Sequence, residues 1–154
     1  MNSSSRKQSQ PPPLRLKITS DPATLASTRR AVEMFAAQCG FDETSRGEIG
    51  LVVNEAIANV IRHAYQGATD QPIEVTAQRT DLGITISLRD WGLGVNPLDL
   101  PPRKHDPMKP GGVGLICMRQ MMDDMQFQKQ SDGMLLTMSR SRIRRKPQGA
   151  KEAC

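Results

Sequence analysis

The stretch VVNEAIANVIRHAY, residues 52–65, mixes two chemistries in one run. At about 100° per residue, Ile49, Val53, Ala56, Ile57, Val60 and Ala64 gather on one side of a helix. That side is the predicted core face of a helix opening after Asp42, running to Tyr65 and leaving at Gly67. Measured round the axis from Glu55, Asn59 lies about 40° away, Arg62 about 20° and His63 about 80°. These four form a polar stripe beside the core face, while Asn54 falls about 100° to the other side. Glu55 and Asn59 are i, i+4 neighbours and can converge on one object. An amide oxygen suits Mg2+, which keeps several waters and takes few protein oxygens. A carboxylate beside it can accept a proton from a hydroxyl or water. The same pair also suits an ordinary hydrogen-bonded helix border, and the helix alone leaves both readings open.

Upstream, LRLKITS (14–20) alternates apolar and polar residues, the pattern of a half-buried strand. Asp21 followed by Pro22 has the form of an N-cap with proline at the first helical position, opening a helix to about Gln38 before Gly40. Downstream, IEVTAQRT (73–80) and ITISLRD (84–90) are two strands joined at Asp81-Leu82-Gly83. VGLICMRQMMDDM (113–125) is a third helix, and MQFQKQ and MLLTMSR form a second hairpin about Ser131-Asp132-Gly133. Strand, helix, helix, hairpin, loop, helix, hairpin closes naturally as an α+β two-layer sandwich. The helices would cover one face of a mixed, mostly antiparallel sheet.

Two glycine motifs interrupt this order. In DWGLG (90–94), Asp90 ends a strand, and Gly92 and Gly94 permit tight turns and close approach of backbone to a ligand. An Asp at such a mouth can accept a hydrogen bond from an exocyclic amine of the kind adenine carries. GGVGL (111–115) feeds a helix N-terminus, where free N–H groups favour phosphate. Between them run about twenty residues rich in Gly and Pro, longer than an ordinary connection.

With these motifs in place, the chain resembles the GHKL (Bergerat-fold, histidine-kinase-type) ATP-binding family, and within it the small anti-sigma factor serine kinases of bacteria. NEAIANVIRHAY is similar to the family's N-box, DWGLGVNP to its first glycine box and GGVGLICMRQMMDDM to its second, over roughly residues 14–140. The resemblance implies ATP and Mg2+ as cofactors, with Glu55 as general base and Asn59 as the ligand of the metal. It also implies Asp90 on the adenine amino group, Gly92 and Gly94 shaping the base pocket, and Gly112, Val113, Gly114 and Leu115 along the phosphates. Residues 96–111 would form an ATP lid, with Arg103, Lys104, His105 and Lys109 as candidate phosphate cations. His63 is left between a phosphate or lid contact and packing at the core edge. Trp91 is large for its place and is expected to point outward.

The implied activity is an ATP-dependent protein serine/threonine kinase that binds a sigma factor and phosphorylates a STAS-type antagonist; the resemblance also admits a homodimer. An ATP-binding regulatory module without turnover is the first alternative. A stand-alone histidine-kinase-type ATPase domain is the second, and it lacks a preceding phospho-acceptor helix.

Composition narrows the rest. At 154 residues the chain has the size of one domain, with a leader over residues 1–13, a kinase domain over 14–141 and a basic tail over 142–154. The formal charge of +5 sits in the ends: Arg6 and Lys7 in the leader, and five basic residues against one acidic after position 141. The folded part is near neutral, which argues against a nucleic-acid surface, and both ends have the composition of disordered, solvated chain. No apolar run approaches the roughly 20 residues of a membrane span. Cys39, Cys117 and Cys154 match neither a disulfide framework nor metal-ligand spacing, so a cytoplasmic setting is expected.

Overall fold

Alternation along the strands decides which face of the sheet is covered. The structure, a computed structural model, describes residues 9–100 and 114–143. In β1 (Leu14–Thr19), Leu14, Leu16 and Ile18 turn inward while Arg15, Lys17 and Thr19 are exposed. The same period runs through β2 (Pro72–Arg79) and β3 (Gly83–Asp90), which bury Ile73, Val75, Ile84, Ile86 and Leu88. After β4 (Asp124–Gln130), β5 (Gly133–Ser141) buries Met134, Leu136 and Met138 on that side. Against this face pack α1 (Leu25–Gln38) and α2 (Glu43–Asn59), through Val32, Phe35, Val52, Val53 and Ile57, and the short α3 (Leu115–Met121) through Met118.

The strand order is β1-β2-β3-β5-β4, and every pairing is antiparallel. The sheet is thus wholly antiparallel rather than mixed. The reason lies in the number of helices between strands. Two helical passes after β1 return the chain to the end where that strand stopped, so β2 must run back beside it. One pass after β3 lets β4 run the same way as β3, and the hairpin then sends β5 back between them.

Helix starts follow their caps. The Asp21 carboxylate accepts from Ala23 N–H at 2.9 Å and opens a 3-10 turn (Pro22–Thr24) that leads into α1. The Asp42 carboxylate accepts from Ser45 N–H at 2.8 Å at the start of α2. The end of α2 departs from the expected pattern. Val60–Ala64 is a π turn, closed by Tyr65 N–H donating to Val60 O at 3.0 Å. The extra residue in that turn shifts the positions around it about the helix axis. Ile61 joins the core, and Val60, placed there by a uniform 100° step, is only partly buried.

The far end of α3 is held by Arg140 of β5, which is buried. Its guanidinium pairs with Glu48 at 2.6 Å, donates to Met121 O at 2.9 Å and to Ser45 Oγ at 3.1 Å. Arg142 also belongs to the packed structure, donating to Cys39 O at 3.2 Å and Asp81 O at 2.5 Å. Cys39 is buried and free.

One glycine at the sheet end bears directly on the site. Gly133 opens β5 at φ +120°, and a Cβ there would collide with Asp90 O and lie 2.7 Å from Trp91 Cα. Both are backbone, so neither can swing aside. Gly133→Ala is expected to cost at least about 2 kcal/mol in a denaturant titration. Gly114→Ala, at φ −58° with open space around it, is expected to be neutral or stabilising by up to about 1 kcal/mol. Equal stabilities for the two variants would contradict this placement of Gly133.

Candidate nucleotide site

The end of α2 and the end of β3 face each other across a pocket. Ala56, Asn59, Val60, His63 and Ala64 come from the helix side, and Leu88 and Asp90 from β3. Val95, Pro97, Met118, Phe127, Met134 and Leu136 complete the walls. About 420 Å3 of space free of protein atoms lies here, part of it open to solvent. The lining is mostly apolar with few polar groups, the usual make-up of a small-molecule site.

Asp90 is the pocket's carboxylate, and it is only 3% exposed. Burial raises its pKa above the ordinary aspartate range, against the lowering pull of the Gly92 and Met134 backbone amides and of Arg89. Gly92 N–H donates to Asp90 Oδ1 at 3.0 Å, which sets the direction of the carboxylate. Gly92 itself does not line the pocket. Its need for glycine is a close approach: a Cβ would strike Ala64 O and lie 2.8 Å from Ala64 Cβ. Gly94 turns the chain at φ +68° above Gly133 and Lys129. Trp91 stays out of the pocket, with its ring 4.7 Å from the Arg89 guanidinium carbon.

On the helix, the polar stripe divides. Asn59 and His63 line the pocket, so His63 is at the cavity as well as at the edge of the core. Glu55, one turn earlier, is 6% exposed and is not among the residues that line the pocket. The Asn59 side chain accepts from Arg62 Nη1 at 3.2 Å through Oδ1, and its Nδ2 is 4.0 Å from the Met118 sulfur. The amide oxygen therefore points toward a cation. Among the described residues no cluster of three His, Cys, Asp or Glu side chains could hold a metal unaided. A Mg2+ at Asn59 fits only as an ion that brings phosphate oxygens with it, with Arg62 released from the amide.

At the other motif, Gly114 and Leu115 stand at the start of α3 and do not line the pocket; Leu115 packs against the core. Gly112, Val113 and most of the expected lid, with Arg103, Lys104, His105 and Lys109, lie outside the described residues. Sequence patterning missed Met118, Met134 and Phe127 as walls, because an apolar residue facing a cavity and one facing the core carry the same periodicity. It also missed Tyr65, whose hydroxyl accepts from Trp91 N–H.

A family model for the histidine kinase-like ATPase domain matches residues 18–140. An anti-sigma F factor of Heyndrickxia coagulans is 29% identical over 126 residues, covering 77% of this chain and 84% of the relative. The serine/threonine-protein kinase BtrW of Bordetella bronchiseptica is 28% identical over 130 residues, covering 82% and 90%. A serine-protein kinase RsbW of Listeria monocytogenes is 25% identical over 121 residues, covering 73% and 76%. The fold is shared with the solved RsbU and RsbW domains of Rv1364c from Mycobacterium tuberculosis, at a TM-score of 0.62 and 18% identity. That alignment covers 85% of this chain and 32% of the longer solved one. No helix among the described residues is long and apolar enough to cross a membrane.

Proposed function

The chain belongs to the histidine kinase-like ATPase family and is a protein kinase within it, and from that premise we propose that it is a partner-switching anti-sigma factor. In this reading it binds a sigma factor and transfers the γ-phosphoryl group of ATP to a serine or threonine of a STAS-type antagonist. The observation that carries the proposal is one pocket lined by Asn59, His63 and Asp90, with the buried Glu55 one turn along the same helix.

Each residue then has a task. The apolar walls hold the purine ring, and Asp90 accepts a hydrogen bond from its amino group. Asn59 holds Mg2+ against the phosphates, where the ion supplies charge neutralisation. Glu55 takes the proton from the attacking hydroxyl of the partner. Gly114 and Leu115, with Gly112 and Val113 before them, run beside the phosphates. Phosphorylation adds about −1.5 to −2 charges to the antagonist at neutral pH, which breaks its contact and frees the kinase for the sigma factor.

The experiment is transfer of labelled γ-phosphate from ATP to a STAS-type protein encoded beside this chain. Labelled partner in the presence of Mg2+, and none with chelator, is the expected outcome. Tight ATP binding without transfer to any such protein would instead mean a regulatory module that does not turn over.

A further inference from the structure

We propose that Tyr65 is a positioning residue for base recognition, its hydroxyl pegging the loop that aims Asp90; this rests on the reading of Asp90 as the acceptor for the purine amino group. β3 ends at Asp90, so beyond it the sheet ladder no longer determines where the backbone goes. Two hydrogen bonds from the end of α2 take over. Trp91 N–H donates to the Tyr65 hydroxyl at 2.8 Å, and Leu93 N–H donates to Ala64 O at 3.1 Å. The Tyr65 hydroxyl in turn donates to Pro72 O at 2.5 Å, anchoring it to the start of β2.

These two pegs bracket Gly92, the residue whose N–H orients the Asp90 carboxylate and which sits on Ala64 too closely to carry a Cβ. The π turn from Val60 to Ala64 leads directly to both pegging residues. Tyr65 itself is 8% exposed, so its ring is held by the core and its hydroxyl has one direction to offer. The same helix carries Asn59 into the pocket, so the pegs tie the base-recognising loop to the phosphate side of the site.

The test compares ATP with purine riboside triphosphate, which lacks the 6-amino group, by calorimetric binding to the full chain. Wild-type protein is expected to prefer ATP by about tenfold or more, as a site built around a hydrogen bond does. Tyr65→Phe keeps the ring and removes the hydroxyl. It should weaken ATP about five- to tenfold, leave the analogue nearly unchanged and so bring the preference close to one. Gly92→Ala, whose Cβ would push the loop off Ala64, should lose the preference in the same way. If both variants weaken the two ligands equally and keep the preference, Tyr65 only supports the fold and the proposal fails. If wild-type protein shows no preference, the reading of Asp90 fails first and this inference falls with it.

Discussion

Glu55→Gln should abolish phosphoryl transfer while leaving ATP binding close to wild type. Glutamine has the same length and can hydrogen-bond in the same place, so the packing of a residue only 6% exposed is largely kept. What it cannot do is take a proton. Loss of a positioned base is expected to lower the transfer rate by about 10² to 10⁴-fold. Because Glu55 is not among the residues that line the pocket, little loss of nucleotide contact is expected. Single-turnover transfer alongside equilibrium ATP binding separates the two effects. A variant that transfers phosphate at the wild-type rate would remove Glu55 from the chemistry, and one that no longer binds ATP would make it a structural residue.

Asp90→Asn should do the reverse, removing binding and not the fold. An amide offers the purine amino group a weaker and differently arranged acceptor than a carboxylate. Hydrogen bonds to charged groups contribute about 1.5–3 kcal/mol, which predicts an ATP affinity lower by roughly 10- to 150-fold.

The pH dependence of stability has a sign of its own. The Asp90 carboxyl is raised by burial, so the folded protein holds this proton to higher pH than the unfolded chain does. Between the ordinary aspartate value of about 3.9 and the raised folded value, the native state binds more protons. Stability from this group therefore falls as pH rises through that window, and the cost is fully present above it. Asn carries no such cost. The melting temperature of Asp90→Asn, relative to wild type, should climb from pH 4 toward pH 7 in the absence of nucleotide. A relative melting temperature that falls over that range would show that the ionised carboxylate stabilises the native state.

The order of elements was legible from period and punctuation alone. LRLKITS alternates and forms β1; Asp21 caps the 3-10 turn that leads into α1, and α2 opens after Asp42 as expected; and the Asp81-Leu82-Gly83 turn joins β2 to β3. These are local matters, settled within a few residues by side-chain spacing and backbone hydrogen bonding. α3 is shorter than its pattern implied, because Met122 is extended and Asp123 N–H donates to Ser139 O at 2.9 Å, binding the chain to β5. A competing sheet partner far along the sequence ends that helix, and no local signal could have announced it.

Of the candidate site, residue types and their spacing were visible and the geometry was not. The chain by itself determined that Glu55 and Asn59 share a helical stripe, that Asp90 closes a strand before two glycines, and that the folded part is near neutral. It could do so because identity and spacing are properties of the chain. Only the tertiary structure decided that Asn59 faces Met118, that Tyr65 holds the backbone of Trp91, and that Asn59 and His63 line the pocket while Glu55 does not. Those relations join residues up to 59 positions apart, and the one through Tyr65 follows a π turn that a uniform helical period does not announce. A uniform helical step carries Val60 into the core. In the folded chain Val60 instead opens the π turn, is only partly buried and lines the pocket.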